Sequence, residues 1–470
     1  MLAGVLRICD LASMAGSLGL AALVTFWGIR GLPVSELLAF RLGPMELGLV
    51  LVLLLLWHLG FAAFDVYHPG QALLGQRRLA DVVKATALNA VFVLALSPLL
   101  GLGVAATLLA PLFCILASAG AVSSRLLLRL AVRHLGNGPR KVLIVGTSPR
   151  ALRFAARIEQ DPDSHTKVIG FVDDAWPGIT DFQEAGGHVV CDQKNFASFV
   201  RDTVVDEVLI TLPPSVLRKP GSTVLAACQE HGIRVRFLTS ILKDLTLNAL
   251  EGRGVDDAFL VTFANGTVEG WPMVAKRVLD VSMSLLLLVV TAPLFLVTAL
   301  LVGVTSRGPV FFSQERRGLN KRGFPMYKFR TMVPGAEEKL PQLRPLNEAG
   351  GPVFKLKNDP RITPIGRILR VLSIDELPQL VNVLKGEMSL VGPRPLPDTD
   401  VEGFEQDRHW RRFSVTPGLT GLWQVNGRSS IPFEEWMELD LKYIDEWSLR
   451  LDLEILAKTG SAVLRGHGAE

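Results

Sequence analysis

The sequence predicts a membrane protein of mixed class, α plus α/β: a four-helix transmembrane bundle, a small parallel α/β domain, and a monotopic α+β domain led by a re-entrant membrane helix. Three observations predict it. Four apolar runs of spanning length fill the first 135 residues, strands and helices alternate from Arg140 to about residue 264, and a fifth apolar run at 278–304 has cations at both ends and a proline near its middle. The composition agrees, since 49% hydrophobic residues and a mean hydropathy of +0.35 are high for a chain wholly in water. A net charge of +4 is too slight to indicate nucleic-acid binding. Cys9, Cys114, Cys191 and Cys228 lack metal-ligand spacing and read as reduced structural thiols.

The bundle covers 1–135, with runs at 8–27, 45–64, 82–104 and 105–128, each near hydrocarbon length. The first is not expected to be a cleaved signal, because it carries Cys9 and Asp10 and no small-residue cleavage site follows. Arg77, Arg78 and Lys84 precede or open the third run, and Arg125, Arg129, Arg133, Arg140 and Lys141 cluster after the fourth. Both bundle ends are therefore expected in the cytoplasm. Asp10 is expected to pair with Arg7 or to serve a function within the span.

Across 140–264, strands at 141–146, 167–174, 188–191, 206–212 and 233–238 alternate with helices at 149–160, 195–202 and 222–231. This is the pattern of a doubly wound, Rossmann-like sheet. Its phosphate turn is defective. Only Gly146 matches G-x-G-x-x-G, with Ser148 and Ala151 at the other glycine positions, although Asp173 ends the second strand where a ribose-binding acid belongs. A structural or regulatory role is expected rather than nicotinamide binding, and the domain lacks the Tyr-x-x-x-Lys pair of a nucleotide-sugar oxidoreductase.

The run at 278–304 is long enough to cross, but crossing would carry the next segment outside. Lys276 and Arg277 flank one end, and 305–332 holds seven basic residues against one acid. Pro293, after Ala292, removes a helix hydrogen bond at mid-run. A re-entrant helix over 274–306, entering and leaving on the cytoplasmic side, satisfies both facts.

The remaining 307–470 carries the chemistry. Segments 308–318 and 324–332 read as cation-studded strands in which Lys328 and Arg330 suit phosphate, while Arg316, Arg317, Lys321 and Arg322 read as a solvated basic face over lipid headgroups. Helix 362–372 gathers Ile365, Ile368, Leu369 and Leu372 on one side, for the membrane interface or the domain's own core. Then comes SIDELPQLVNVLKGEMSLVGPRP, 373–395. Asp375 and Glu376 are adjacent and point different ways, so one can attack phosphorus while the other serves a metal or proton. Pro378 predicts a helix over 377–384 that begins near Asp375, although Ser373 to Glu376 also spells a plain capping box. The turn Gly392-Pro393-Arg394-Pro395 aims one guanidinium. In 416–428 the glycines allow close backbone approach to a ligand or simply a turn, and Trp436, Tyr443 and Trp447 read as core or interface anchors.

The block 373–395, with YKFRTM at 327–332 and TPGLTGLWQVNGR at 416–428, resembles the bacterial sugar transferases, the polyprenyl-phosphate hexose-1-phosphate transferases. The resemblance runs from Lys276 to the C-terminus, and the preceding bundle and α/β domain look like the long-form members. It implies transfer of a sugar 1-phosphate from a nucleotide diphosphate sugar to undecaprenyl phosphate, with UDP-glucose the expected donor and UDP-galactose the alternative. By the same resemblance Asp375 is the nucleophile and Arg394 a substrate ligand; the charge of two phosphate-bearing substrates calls for Mg²⁺ held by the diphosphate and Glu376, and Lys328, Arg330, Arg361, Arg394, Pro395, Gln424, Asn426 and Arg428 are the expected substrate-binding set. The implied setting is the bacterial inner membrane with a cytoplasm-facing site, membrane lipids as partners, and room for a homodimer.

Overall fold

The computed structural model describes residues 2–30, 44–64, 76–96, 105–135, 138–160, 166–212, 223–239, 259–263, 271–348, 351–354, 356, 358–427 and 431–465. The chain divides into two units, Met1–Gly136 and Asn137–Glu470.

The first unit comprises, among the described residues, α1 (Leu2–Arg30), α2 (Pro44–Ala63), α3 (Gln76–Leu96) and α4 (Ala105–Leu135). Trp57 stacks on Phe61 at 4.8 Å and meets Phe113 edge-on at 5.7 Å. Ala21, Ala85, Ala117 and Ala121 are fully buried around them, small residues that let helix backbones approach. Leu51, Leu55, Val91, Ile115 and Leu127 face outward. The Asp10 carboxylate takes both terminal nitrogens of Arg125 at 2.7 and 2.9 Å, fully buried between α1 and α4, while the side chain of Arg7, the partner expected from the sequence, lies outside the described residues. A partner 115 residues away is set by helix packing, which local sequence does not encode.

In the second unit the sheet order is β3-β2-β1-β4-β5-β6. The strands are β1 (Arg140–Val145), β2 (Thr166–Val172), β3 (Val189–Cys191), β4 (Glu207–Ile210), β5 (Arg234–Thr239) and β6 (Phe259–Phe263). The first five are mutually parallel, as the alternation of strands and helices predicts. The sixth is an addition to the five expected: it pairs antiparallel with β5 at the sheet edge. Helices α5 (Pro149–Gln160), α6 (Ile179–Glu184), α7 (Phe196–Asp202) and α8 (Thr223–Glu230) connect them.

Next, α9 runs from Trp271 to Thr305 as one helix through Ala292 and Pro293, so the break expected there does not divide it into two elements. Side chains along it, Val289, Val290, Leu296, Leu300 and Val304 among them, are exposed. Among the described residues two helices have the length and apolarity to cross a membrane, Leu108–Leu127 and Pro272–Thr305. Both ends of α9 are tied to the same domain. At its start Arg277 donates to the carbonyls of Val383 and Leu384 at 2.6 and 2.8 Å, and Lys276 reaches Asp452 at 2.6 Å. At its end the Ser306 carbonyl and hydroxyl accept from Arg330, each at 2.7 Å.

That domain contains an antiparallel hairpin, β7 (Phe311–Arg317) and β8 (Gly323–Phe329), then α10 (Pro364–Val371) and α11 (Gln379–Lys385). A parallel pair follows, β9 (Ser389–Val391) with β10 (Gly418–Thr420), and then α12 (Leu422–Asn426), α13 (Phe433–Asp445) and α14 (Leu449–Arg465). Leu380, Val383, Leu390 and Tyr443 fill its core, each large apolar side chain contributing about 1.5–3 kcal/mol by burial. On α10, Leu369 is buried whereas Ile368 and Leu372 are exposed, so the expected apolar face is shared between core and surface.

Candidate active site

The acid pair sits in a backbone arrangement of its own. Ser373 closes α10 in the left-handed region at φ 55°, and residues Ile374–Glu376 form a single 3-10 turn. Pro378, with no N–H to satisfy, then heads α11. The helix expected from Asp375 onward therefore begins after the acids. The expected capping box does not form either: the Ser373 side chain caps nothing, and the Glu376 carboxylate is engaged elsewhere.

Glu376 Oε1 accepts from Lys328 Nζ of β8 at 2.9 Å and from Arg394 Nη2 of the Gly-Pro-Arg-Pro turn at 2.6 Å. Burial alone would raise the Glu376 carboxyl, but Arg394 and Lys328 outweigh it and hold the group well below the usual carboxylate range. Asp375 is only 6% exposed, and no hydrogen bond from a described residue reaches its carboxyl. Burial pushes it up to about 6, with Glu376 adding to the rise and Lys328, Arg370 and Arg394 opposing it. One carboxylate is thus permanently ionised and clamped by cations. Its neighbour is desolvated, unclamped and ionised above about pH 6.

The three sequence blocks converge to build this. Asn382 of α11, fully buried, donates to the Pro325 carbonyl at 2.7 Å and accepts from the Tyr327 N–H at 3.1 Å, which fixes β8 and hence Lys328 against the acid block. The 416–428 block meets the Arg394 turn backbone to backbone, with Gly392 N–H on the Thr420 carbonyl at 2.9 Å and Gly418 N–H on the Pro393 carbonyl at 2.8 Å. A Cβ on Gly418 would lie 2.1 Å from Gly392 N. Gly418 thus serves close packing of one chain segment on another, a use beside the ligand approach and the plain turn that the sequence offered for these glycines.

The family description "Bacterial sugar transferase" matches residues 271–466, and "CoA-binding domain" matches 62–238. The chain is 38% identical over 221 residues to the exopolysaccharide production protein ExoY of Rhizobium meliloti (strain 1021), which covers 46% of this chain and 97% of that protein. The chain belongs to the bacterial sugar transferase family. It is also 40% identical over 270 residues to the galactosyl transferase CpsE of Streptococcus agalactiae serotype III (strain NEM316), covering 57% of this chain and 59% of that one. With the undecaprenyl-phosphate glucose phosphotransferase of Komagataeibacter xylinus it shares 34% over 340 residues, 68% of this chain and 58% of that relative. The chain therefore spans under two thirds of these last two relatives.

Within the transferase region the other expected ligands are dispersed. Arg330 caps the end of α9 through Ser306 instead of joining Lys328. Arg361 is buried in a bidentate pair with Asp359, closest approach 2.6 Å, and donates to the Ala336 carbonyl at 3.1 Å, so its donors are spent inside the fold. Pro395 contributes a carbonyl to Arg316. Gln424 and Asn426 bond the carbonyls of Leu419 and Leu422 within their own segment, and Arg428 lies outside the described residues. Trp436 and Tyr443 are buried, Trp436 packing on Trp423 at 4.2 Å.

The basic face expected over the membrane is solvated only at Arg317, which is 37% exposed. Arg316 bonds Pro395 and Gln314, Arg317 pairs with Asp398, Lys321 is 7% exposed against the carbonyls of Val200 and Thr203, and Arg322 pairs with Asp206. All four cations found acceptors that a charge count along the sequence does not reveal, Arg317 at the surface and the other three within the fold. Both cations hold the Oε1 of Glu376, so Oε2 is the oxygen that a divalent cation shared with a substrate diphosphate would use.

In the α/β domain Asp173 accepts from the backbone N–H and hydroxyl of Thr147, at 2.9 and 2.6 Å, and Trp176 donates to the same hydroxyl at 2.7 Å. The acid at the ribose position thus occupies the phosphate turn itself.

Proposed function

We propose that the protein transfers a sugar 1-phosphate from a nucleotide diphosphate sugar to undecaprenyl phosphate, releasing a nucleoside monophosphate. The observation that carries this is the division of labour at 375–376: Glu376 pinned by Lys328 and Arg394, Asp375 buried beside it without a hydrogen bond from a described residue. The Asp375 carboxylate attacks the sugar-bearing phosphorus, forming an acyl phosphate as the bond to the nucleotide phosphate breaks. An oxygen of undecaprenyl phosphate then attacks the same phosphorus and returns the carboxylate, leaving the undecaprenyl-diphosphate sugar. Lys328 and Arg394 are placed to neutralise charge gathering on the phosphoryl oxygens. UDP-glucose is the proposed donor, with UMP as the nucleotide product.

The setting follows from α9 and the first unit: apolar exposed helices belong in lipid, and a helix anchored at both ends by one domain fits re-entry from the cytoplasmic side. The reaction is tested by nucleoside monophosphate release from a panel of nucleotide sugars with undecaprenyl phosphate. Release from none of them refutes the proposal. The topology is tested by cysteines at Pro272 and Arg307 in a chain cleared of its own thiols. Labelling of either from the periplasm with an impermeant reagent excludes re-entry.

A further inference from the structure

Arg394 owes its aim to two other arginines. Buried Arg412 is paired with Asp440 at 2.8 Å and donates to the carbonyl of Arg394 itself at 2.7 Å. Arg316 donates to the next carbonyl, that of Pro395, at 3.2 Å. Two consecutive carbonyls held by cations fix the backbone on the C-terminal side of the Cα that carries the Glu376 partner.

Neither arginine lies on the turn. Arg316 is on β7, and Arg412 is on a 3-10 helix, Asp407–Ser414. Both elements are docked on the α/β domain. At the tip between β7 and β8, Asn320 donates to Asp206 at 2.6 Å, Lys321 to the Val200 and Thr203 carbonyls, and Arg322 pairs with Asp206. Asn320 and Lys321 stand at φ 52° and 65°, a conformation disfavoured for both and here stabilised by the docking. Along the 3-10 helix, Asp407 accepts from Arg201 at 2.6 Å and Trp410 stacks on His231 at 5.8 Å. Gly232 meets the same helix so closely that a Cβ would lie 2.5 Å from Ser414 Cβ.

We infer that Arg316 and Arg412 are positioning residues for Arg394, and that the α/β domain acts on the reaction by holding the two segments that carry them. The inference rests on the proposed transferase reading for its kinetic readout alone. The test compares a full-length Lys321→Ala, Arg322→Ala variant, which leaves the α/β residues intact, with Arg412→Gln and Arg412→Lys. The tip variant and Arg412→Gln lower kcat about tenfold while the donor KM stays within about twofold, and neither adds to the loss caused by Arg394→Gln. The acid limb of the pH–rate profile moves up in both, because Asp375 then faces Glu376, Lys328 and Arg370 without a fixed Arg394. Arg412→Lys, which keeps a donor, recovers part of kcat. Independently of turnover, hydrogen exchange at the Gly392 and Gly418 amides, both bonded across the turn, quickens about tenfold in the tip variant. Losses that add to that of Arg394→Gln, or unchanged exchange at those amides, overturn the inference. A wild-type protein inactive on all nucleotide sugars defeats the proposed function instead, and the exchange measurement still decides this one.

Discussion

Two turns in the second unit hold an acid beside phosphate-type geometry, and they use it oppositely. In the α/β domain Asp173 is tied to its own turn by uncharged donors, the Thr147 N–H and hydroxyl, which satisfy one carboxylate oxygen within the turn. At 375–376 the clamped acid is Glu376, held by two cations, and the clamp leaves its neighbour Asp375 desolvated and without a hydrogen bond from a described residue. An acid whose partners are neutral and local stays within its own turn. A helix-terminal acid pair becomes reactive when charge from elsewhere takes one member and not the other.

Breaking the second turn has the largest expected effect. Asp375→Asn retains shape and removes the attacking oxygen, so turnover falls at least about 10³-fold while folding and membrane association persist. Mass spectrometry of wild-type protein quenched with donor is expected to find the phosphosugar on Asp375, and a label elsewhere refutes the assignment. Arg394→Gln releases half the clamp and lowers kcat about 10²-fold, equivalent to about 2.7 kcal/mol. It is read by steady-state kinetics, and a wild-type kcat would mean that the clamp is structural only.

The pH dependence sharpens the contrast. The Asp375 carboxyl is raised to about 6 and must be ionised to attack, so kcat/KM is level above that pH and falls tenfold per unit below it. Glu376, held low, adds no break in that range. A profile flat down to pH 4.5 excludes Asp375 as a titrating nucleophile. The smallest effect belongs to the first turn: Thr147→Val removes one hydroxyl from the Asp173 network, lowers stability by about 1 kcal/mol, and leaves turnover within about twofold. Thermal denaturation beside the release assay checks both. A large kinetic loss would show that the turn takes part in the reaction.

The local patterns that the sequence determined are those read at short range. Alternating apolar runs marked β1 to β5 and three of their four helices, α6 being missed, and adjacent acids with a proline-bounded arginine marked the block in which Glu376 meets Arg394. Each depends on spacing along the chain. What only the tertiary structure decided is which opposite charges meet. Asp10 found Arg125, Arg317 found Asp398 at the surface, and Arg316, Lys321 and Arg322 were drawn inward or onto the α/β domain. The same holds for the clamp: Lys328 comes from 48 residues before Glu376 and Arg394 from 18 after it. The reason is physical: a cation's cost of burial is met by whichever acceptor the packed chain brings within 3 Å, and sequence separation does not constrain that distance.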